Sequence, residues 1–248
     1  VMGRLHADDV YHLAANSDIS AGVADASLDF GDTLMTTMAV RHAAARTHVH
    51  QLVFASSSAI FGVSDEPFGE ESDQAPAPVS WYGKAKLASE YVLESLSSQK
   101  PDLPILMVRF PNVVGPLATH GVVFDFVRRL RANPAKLEVL GDGHQTKPYV
   151  HVSELIDGIH FFLNAAEAGI TRVNIGPPDL VDVRGIAKEV SEALHISPEI
   201  TYQESPFGWP GDVPRYSFDT TKMQQAGFTI QATSRQAVRR AAEDIALE

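Results

Sequence analysis

Gln51–Gly62 reads QLVFASSSAIFG, and the change of character half-way along it decides the fold. Leu52, Val53, Phe54 and Ala55 form an unbroken apolar run, the pattern of a strand buried on both faces rather than the alternation of a half-exposed one. The run stops at Ser56, Ser57 and Ser58. A buried strand ending in hydroxyls places them at the carboxyl edge of a parallel sheet, where ligands of open α/β folds collect. Taken singly, the serines are better read as groups that satisfy loose backbone at a strand end.

The stretches on either side repeat the theme. DDVYHLAA (Asp8–Ala15) is a short buried strand running into a small-residue turn, and a helical run from about Asp32 to Thr47 follows it. Asp32 is placed to act as the N-cap of that helix. After the serines come a helical run from about Tyr82 to Ser98 and the strand-like PILMVRFPNVVG (Pro104–Gly115). This βαβαβ rhythm with nearly continuous apolar strands argues for an α/β fold, a Rossmann-like parallel sheet covered on both faces. Beyond Gly115 the pattern changes to a helix near Val122–Ala132, the strand KLEVL closed by GDG, the segment TKPYVHVSELIDGIHFFLNA, the strand RVNIG and a helix near Val183–Leu194. That half reads as a smaller C-terminal α/β lobe for substrate. The expected division is 1–115 together with about 148–176, against 116–147 with 177–248, the halves packed rather than tethered because no flexible linker intervenes.

Composition bounds the function. With 248 residues, 44% of them hydrophobic and 21% charged, the chain can bury a proper core. A net charge of -11 repels a phosphate backbone and argues against nucleic acid as a partner. The absence of cysteine excludes disulfides, thiolate metal sites and cysteine nucleophiles. No apolar stretch reaches the length of a membrane span or a signal peptide, so no membrane partner and a cytoplasmic location are expected. Of the ten histidines, His42, His48 and His50 lack an acidic partner at ligand spacing and read as solvated surface, while His12 and His151 read as core; no metal is expected.

The chemistry is concentrated in WYGKAKLASEYVL (Trp81–Leu93). Tyr82 and Lys86 are four residues apart in a helical run, which puts phenol and ammonium on one face a turn apart. A free phenol, with a pKa of about 10, is a poor base near neutrality. A neighbouring ammonium, or the positive charge of an oxidised nicotinamide, favours the phenolate and lowers that value. Such a tyrosine takes a proton from a sugar hydroxyl while hydride leaves the same carbon. The bland reading is an ordinary surface helix, but a serine-ended strand some two dozen residues upstream and RFPNVVGP downstream make a joint pattern that chance rarely supplies.

Those residues resemble the extended short-chain dehydrogenase/reductases, in particular the NAD-dependent nucleotide-sugar epimerase/dehydratase group and most of all its UDP-galactose (UDP-glucose) 4-epimerases. The likeness runs through VYHLAA, DTLMTTMAVRHAA, LVFASSSAIFG, SWYGKAKLASE, VRFPNVVGP, GDGHQTKPYVHVSELIDGI, RVNIG and GDVPRYSFDTTKM. It implies a Ser/Thr-Tyr-Lys site, bound NAD, a UDP-sugar substrate and a homodimer built from two helices per subunit. By the same resemblance Tyr82 is the catalytic base, Lys86 lowers its pKa and holds the nicotinamide ribose, and Ser57, four before Phe61, grips the reacting sugar oxygen. Ser58 is the alternative by one register and a substrate contact. Ala14 and Ala15 match the turn that backs the cofactor, Pro111 lies near the nicotinamide, and Asn112 lies near the substrate diphosphate. Lys147 stands where the group has a diphosphate-binding arginine, and Asp212 matches the acid near the nucleotide ribose.

Departures narrow the reaction. Ser58 and Ala59 occupy the places where dehydratases of the group carry Asp-Glu, so elimination of water is not expected, and Ala59 likewise argues against decarboxylation. Trp209 stands near another phosphate arginine of the epimerases, with Arg215 able to compensate in part. The glycine-rich cofactor loop and the acid for the adenosine ribose have no counterpart, since Gly3 and Gly22 lack a strand-loop-helix around them. The chain therefore reads as N-terminally truncated, short of three strands and two helices, with an uncovered edge at Asp8–Ala15 that invites a partner. The expected function is a nucleotide-sugar 4-epimerase working through a 4-keto intermediate, its activity reduced or lost with that loop. The alternative is a non-catalytic relic or sugar-nucleotide-binding module on the same scaffold.

Overall fold

The computed structural model describes residues 7–63, 67, 76–206, 208, 215–217 and 219–248. They fall into two compact units, one drawn from Val1–Gly62, Glu70–Phe110 and Gly158–Asn174, the other from Val63–Gly69, Pro111–Asp157 and Ile175–Glu248.

The first unit begins with β1 (Asp9–His12). Two short helices follow, α1 (Ile19–Ala24) and α2 (Ala26–Asp29), each opened by an aspartate whose side chain accepts a backbone N–H, Asp18 from Ala21 and Asp25 from Ser27. A π-helical segment, Phe30–Met35, runs directly into α3 (Thr36–Ala45). Asp32 is thus in the middle of a helical run and makes no cap, contrary to the expectation from sequence, because the aspartates further upstream have already started the helix. Then come β2 (Gln51–Ala55), a single tight turn at Ser58–Ile60, α4 (Trp81–Gln99) and β3 (Pro104–Arg109).

The second unit contributes β4 (Asn112–Val114), α5 (Val122–Ala132), β5 (Lys136–Val139), β6 (Thr146–Lys147) and β7 (Tyr149–His151). Helix α6 (Val152–Asn164) leads back to the first unit's β8 (Gly169–Asn174), and β9 (Val181–Asp182), α7 (Val183–Ala193), β10 (Glu199–Tyr202), α8 (Thr221–Gln225) and α9 (Ser234–Ala246) complete the second.

The sheet of the first unit is parallel throughout, in the order β1-β2-β3-β8. Its register sets His12 beside Phe54, and Phe54 beside Met107. Leu52, Phe54, Ile105 and Met107 bury against Ala44 of α3 and against Leu93 and Leu96 of α4, which is why these strands are apolar without interruption. In the second unit Val123, Phe126, Val127 and Leu130 of α5, Ile186 and Val190 of α7, and Val238, Ala241 and Ala242 of α9 close over Leu137 and Val139 of β5. There β10 pairs with β5 and β4 with β7, both parallel. Buried His12 and His151, and exposed His42, His48 and His50, occupy the settings expected of them.

Candidate active site

The end of β2 is built by α4. Ser80 caps that helix by accepting the N–H of Gly83 at 3.0 Å. Only glycine fits at 83, since a Cβ there would stand 2.2 Å from the carbonyl oxygen of Ala59. The helix therefore lies directly against the turn that follows the serines, and Tyr82 and Lys86 come to the strand end together. Lys86 is 2% exposed. Its Nζ donates to the Ala55 carbonyl at 2.6 Å and lies 5.0 Å from the centre of the Phe54 ring and 5.6 Å from that of Tyr82. Ser57 shares a side-chain hydrogen bond with Tyr82, and its Oγ accepts the N–H of Ala59 at 3.1 Å. Ser58, half-buried, begins the tight turn, its N–H donating to the Phe110 carbonyl at 3.1 Å. Of the two serine registers, 57 is the one bonded to the phenol.

The electrostatics differ from what spacing alone suggests. Burial pushes the Tyr82 phenol up to about 12; the Ser57 hydrogen bond works in the opposite direction, and the Asp29 carboxylate adds to the rise. Burial also brings the Lys86 ammonium down to about 8. Desolvation of a phenolate thus outweighs any lowering by the lysine, and in this chain alone Tyr82 holds its proton at neutral pH. His12, buried at the end of β1, is brought down to about 4 by burial first and the Lys86 charge second, so it is neutral at pH 7. Its Nε2 lies 2.8 Å from Thr37 Oγ1, which itself donates to the Thr33 carbonyl; the ring N–H is therefore assigned to Nε2.

Ala14 and Ala15 follow β1, exposed and half-buried respectively. The turn is then held by Asn16, whose N–H donates to Thr33 Oγ1 at 3.1 Å and whose Nδ2 donates to Asp29 Oδ1 at 2.9 Å. Asp29 is fully buried, its Oδ2 lies against Gly22 without a hydrogen-bond partner, and burial raises its pKa. Sequence reasoning missed Asn16, Asp29, Thr33 and Thr37, because polar residues scattered from the turn after β1 to the first turn of α3 carry no spacing signal. It also missed Glu90, which a signal does reveal: Glu90 continues the four-residue spacing of Tyr82 and Lys86 along the buried face of α4.

The remaining candidates lie in the second unit. Pro111 is buried. Asn112 Nδ2 lies 3.3 Å from the Tyr216 hydroxyl and donates to the Pro148 carbonyl at 3.4 Å, which brings it beside Lys147. Arg215 bridges Thr146, so it too adjoins Lys147. Tyr216, 7% exposed, was not singled out from sequence. Asp212 and Trp209 lie outside the described residues. Among the described residues there is no cluster of three or more metal-ligating side chains, and no helix is long and apolar enough to cross a membrane.

Residues 1–176 match the model of the NAD dependent epimerase/dehydratase family. The chain belongs to this family. Its sequence is 26% identical over 230 residues to a UDP-N-acetyl-alpha-D-glucosaminuronate decarboxylase of Bacillus cytotoxicus, an alignment covering 88% of the chain and 70% of that relative. Among solved structures, it resembles a UDP-galactose 4-epimerase with a TM-score of 0.84 and 33% identity, covering 96% of this chain and 77% of the other. A Thermus thermophilus UDP-glucose 4-epimerase in complex with NAD aligns with a TM-score of 0.84 and 27% identity, covering 98% and 79%. The epimerase/dehydratase fold accordingly confirms the Rossmann-like α/β architecture. The chain spans about two thirds of the length of the curated relatives it matches.

Proposed function

We propose that the protein is a nucleotide-sugar 4-epimerase acting on a UDP-hexose with NAD. The observation that carries this reading is the grouping of Ser57, Tyr82 and Lys86 at the end of β2, in a chain of this family whose similar structures include a UDP-galactose 4-epimerase and an epimerase complexed with NAD. The donor set suits the ribose of a nicotinamide nucleotide: Lys86 uses one of its three N–H groups on Ala55, leaving the ammonium able to bind hydroxyls, and Tyr82 stands beside it. When bound, NAD supplies the hydride acceptor and donor for the sugar carbon. Ser57 orients the C4 hydroxyl, Tyr82 takes its proton and later returns it, and Lys86 holds the ribose while its charge favours the phenolate. Because burial sets the phenol at about 12, a further positive charge at the site is required to bring Tyr82 into the range of a base. Pro111 borders the nicotinamide. By the family resemblance, Asn112, Lys147, Asp212 and Ser58 are assigned to the substrate, and Ala14 and Ala15 to the cofactor.

The same reading includes a homodimer. Phe30 and Met35 of the π-helical segment, Met38 of α3, and Trp81 and Tyr91 of α4 are large apolar residues between 39% and 57% exposed on mutually packed helices, as expected of a two-helix contact with a second copy. It also includes a cytoplasmic location, from the acidic, cysteine-free sequence. A second reading, a sugar-nucleotide-binding module without turnover, draws support from the phenol at about 12. Incubation with UDP-galactose and NAD decides between them: formation of UDP-glucose that is lost in Tyr82→Phe supports the epimerase. Saturable UDP-sugar binding by calorimetry with no interconversion favours the module.

A further inference from the structure

Three successive residues at the end of β2 are each held by α4, from three successive turns. Ala55 offers its carbonyl to Lys86 at 2.6 Å, Ser56 donates its hydroxyl to Glu90 Oε1 at 2.5 Å, and Ser57 bonds the phenol of Tyr82. Tyr82, Lys86 and Glu90 follow one another at intervals of four and so share one face of the helix. Ser56 is fully buried and Glu90 is 2% exposed. Glu90 is itself immobilised. Arg109, at the end of β3, donates Nε to Oε1 at 3.0 Å and Nη2 to Oε2 at 2.6 Å, a two-pronged pair inside the protein. Arg172 of β8 adds a third contact, 3.6 Å from Oε2, and pairs with Glu94 one turn further along. One carboxylate thus ties α4 to the carboxyl ends of β2 and β3 and to the middle of β8.

A buried ion pair is weak grounds for stability, since desolvation offsets most of its attraction; its value lies in fixing one arrangement. The bond to Ser56 is the part that bears on chemistry. Ser57 is extended and directly follows Ser56, whose N–H donates to the Phe54 carbonyl at 3.0 Å and whose hydroxyl is fixed on Glu90, so holding Ser56 restrains the backbone that carries the Ser57 hydroxyl toward the same helix. We propose that Glu90, acting through Ser56, is a positioning residue that aims the Ser57 hydroxyl at the Tyr82 phenol. This inference rests on the epimerase reading, and it makes the YGKAKLASE segment a device that grips the catalytic strand at three points rather than two.

Two single variants separate positioning from simple support, with UDP-galactose and NAD as the assayed pair. Ser56→Ala removes the tether but leaves the Glu90–Arg109 pair intact. It is expected to lower kcat by about 10- to 100-fold with KM within twofold and only a small fall in Tm, because sub-ångström misalignment acts on the reacting geometry. Glu90→Gln keeps an oxygen for Ser56 and discards the charge that Arg109 needs, so it is expected to lower Tm more than Ser56→Ala while keeping kcat per folded molecule closer to that of the parent. Opposite ordering of the two losses is the signature of positioning. If kcat is unchanged in Ser56→Ala, or if the kcat and Tm losses of the two variants run in parallel, the proposal is overturned. Should Glu90→Gln not fold, Ser56→Ala decides alone. Tyr82→Phe run alongside keeps the two inferences apart: full turnover in that variant removes the epimerase reading itself, whereas a dead Tyr82→Phe with a fully active Ser56→Ala removes only the role of Glu90.

Discussion

The carboxyl ends of β1 and β2 lie side by side in one sheet, His12 opposite Phe54, and they are finished in opposite ways. Beyond β2, Ser56 is wholly buried and Ser57 is 8% exposed, and α4 holds both. Beyond β1, Leu13 is 60% exposed, and the chain is fastened at Asn16, by hydrogen bonds to Thr33 and Asp29. Alignment of reacting groups needs a strand end whose rotamers are locked by packing and outer hydrogen bonds, which β2 has. The β1 end instead carries small side chains, Ala14 exposed and Ala15 half-buried.

The sharpest way to break this contrast is at the phenol. Tyr82→Phe is expected to reduce turnover of UDP-galactose by roughly 10²- to 10⁴-fold, the usual contribution of a positioned acid-base group, with far-UV circular dichroism unchanged. Glu90→Ala attacks the locked end structurally. It strands the Arg109 guanidinium, 5% exposed, without its carboxylate, and a loss of about 3–5 kcal/mol is expected in urea unfolding.

The β1 end carries its own signature, a pH dependence. His12 titrates near 4 when folded and near 6.5 when unfolded, so between those values the unfolded chain binds a proton that the folded one refuses. Its contribution to stability is full above 6.5 and is lost as pH falls through 4, up to about 3 kcal/mol in all, and a His12→Gln variant should flatten that part of the curve. Lys86→Met tests the coupling between the two ends: removing the charge should raise the His12 pKa above about 4 in an NMR titration, while burial still holds it below 6.5. The smallest expected effect is that of Asp29→Asn, which removes the carboxylate that raises the phenol; the alkaline absorbance titration of Tyr82 should move down from about 12. An unmoved titration would show that burial alone sets the value.

The legible parts of the fold were those with a strong period. Helix α4 spans Trp81–Gln99 against an expected 82–98, α5 coincides with its expected span, and the apolar runs became parallel strands. The Tyr82–Lys86 pair was legible for the same reason, because a spacing of four fixes a shared face whatever the surroundings. What the phenol would titrate at was not legible. Spacing reveals that an ammonium is near but not how much water is excluded, and burial proved the larger influence on Tyr82. The Asp32 cap failed for a related reason: a residue type suited to capping is common, and the helix had begun upstream at Asp25. Asp29 and Asn16 were invisible because their meaning comes from contacts between segments distant in the chain.

The four-residue rhythm of Tyr82, Lys86 and Glu90 acts as a ruler, and a ruler cannot be resized piecemeal. Inserting or deleting a single residue between 82 and 90 turns everything beyond it by about 100° around the helix axis, parting the phenol from the serine, the ammonium from its carbonyl, or the carboxylate from its arginine. Point substitutions on the outer face are tolerated by comparison, since they leave the graduations in place. Changes of length are therefore confined to segments that this helix does not measure.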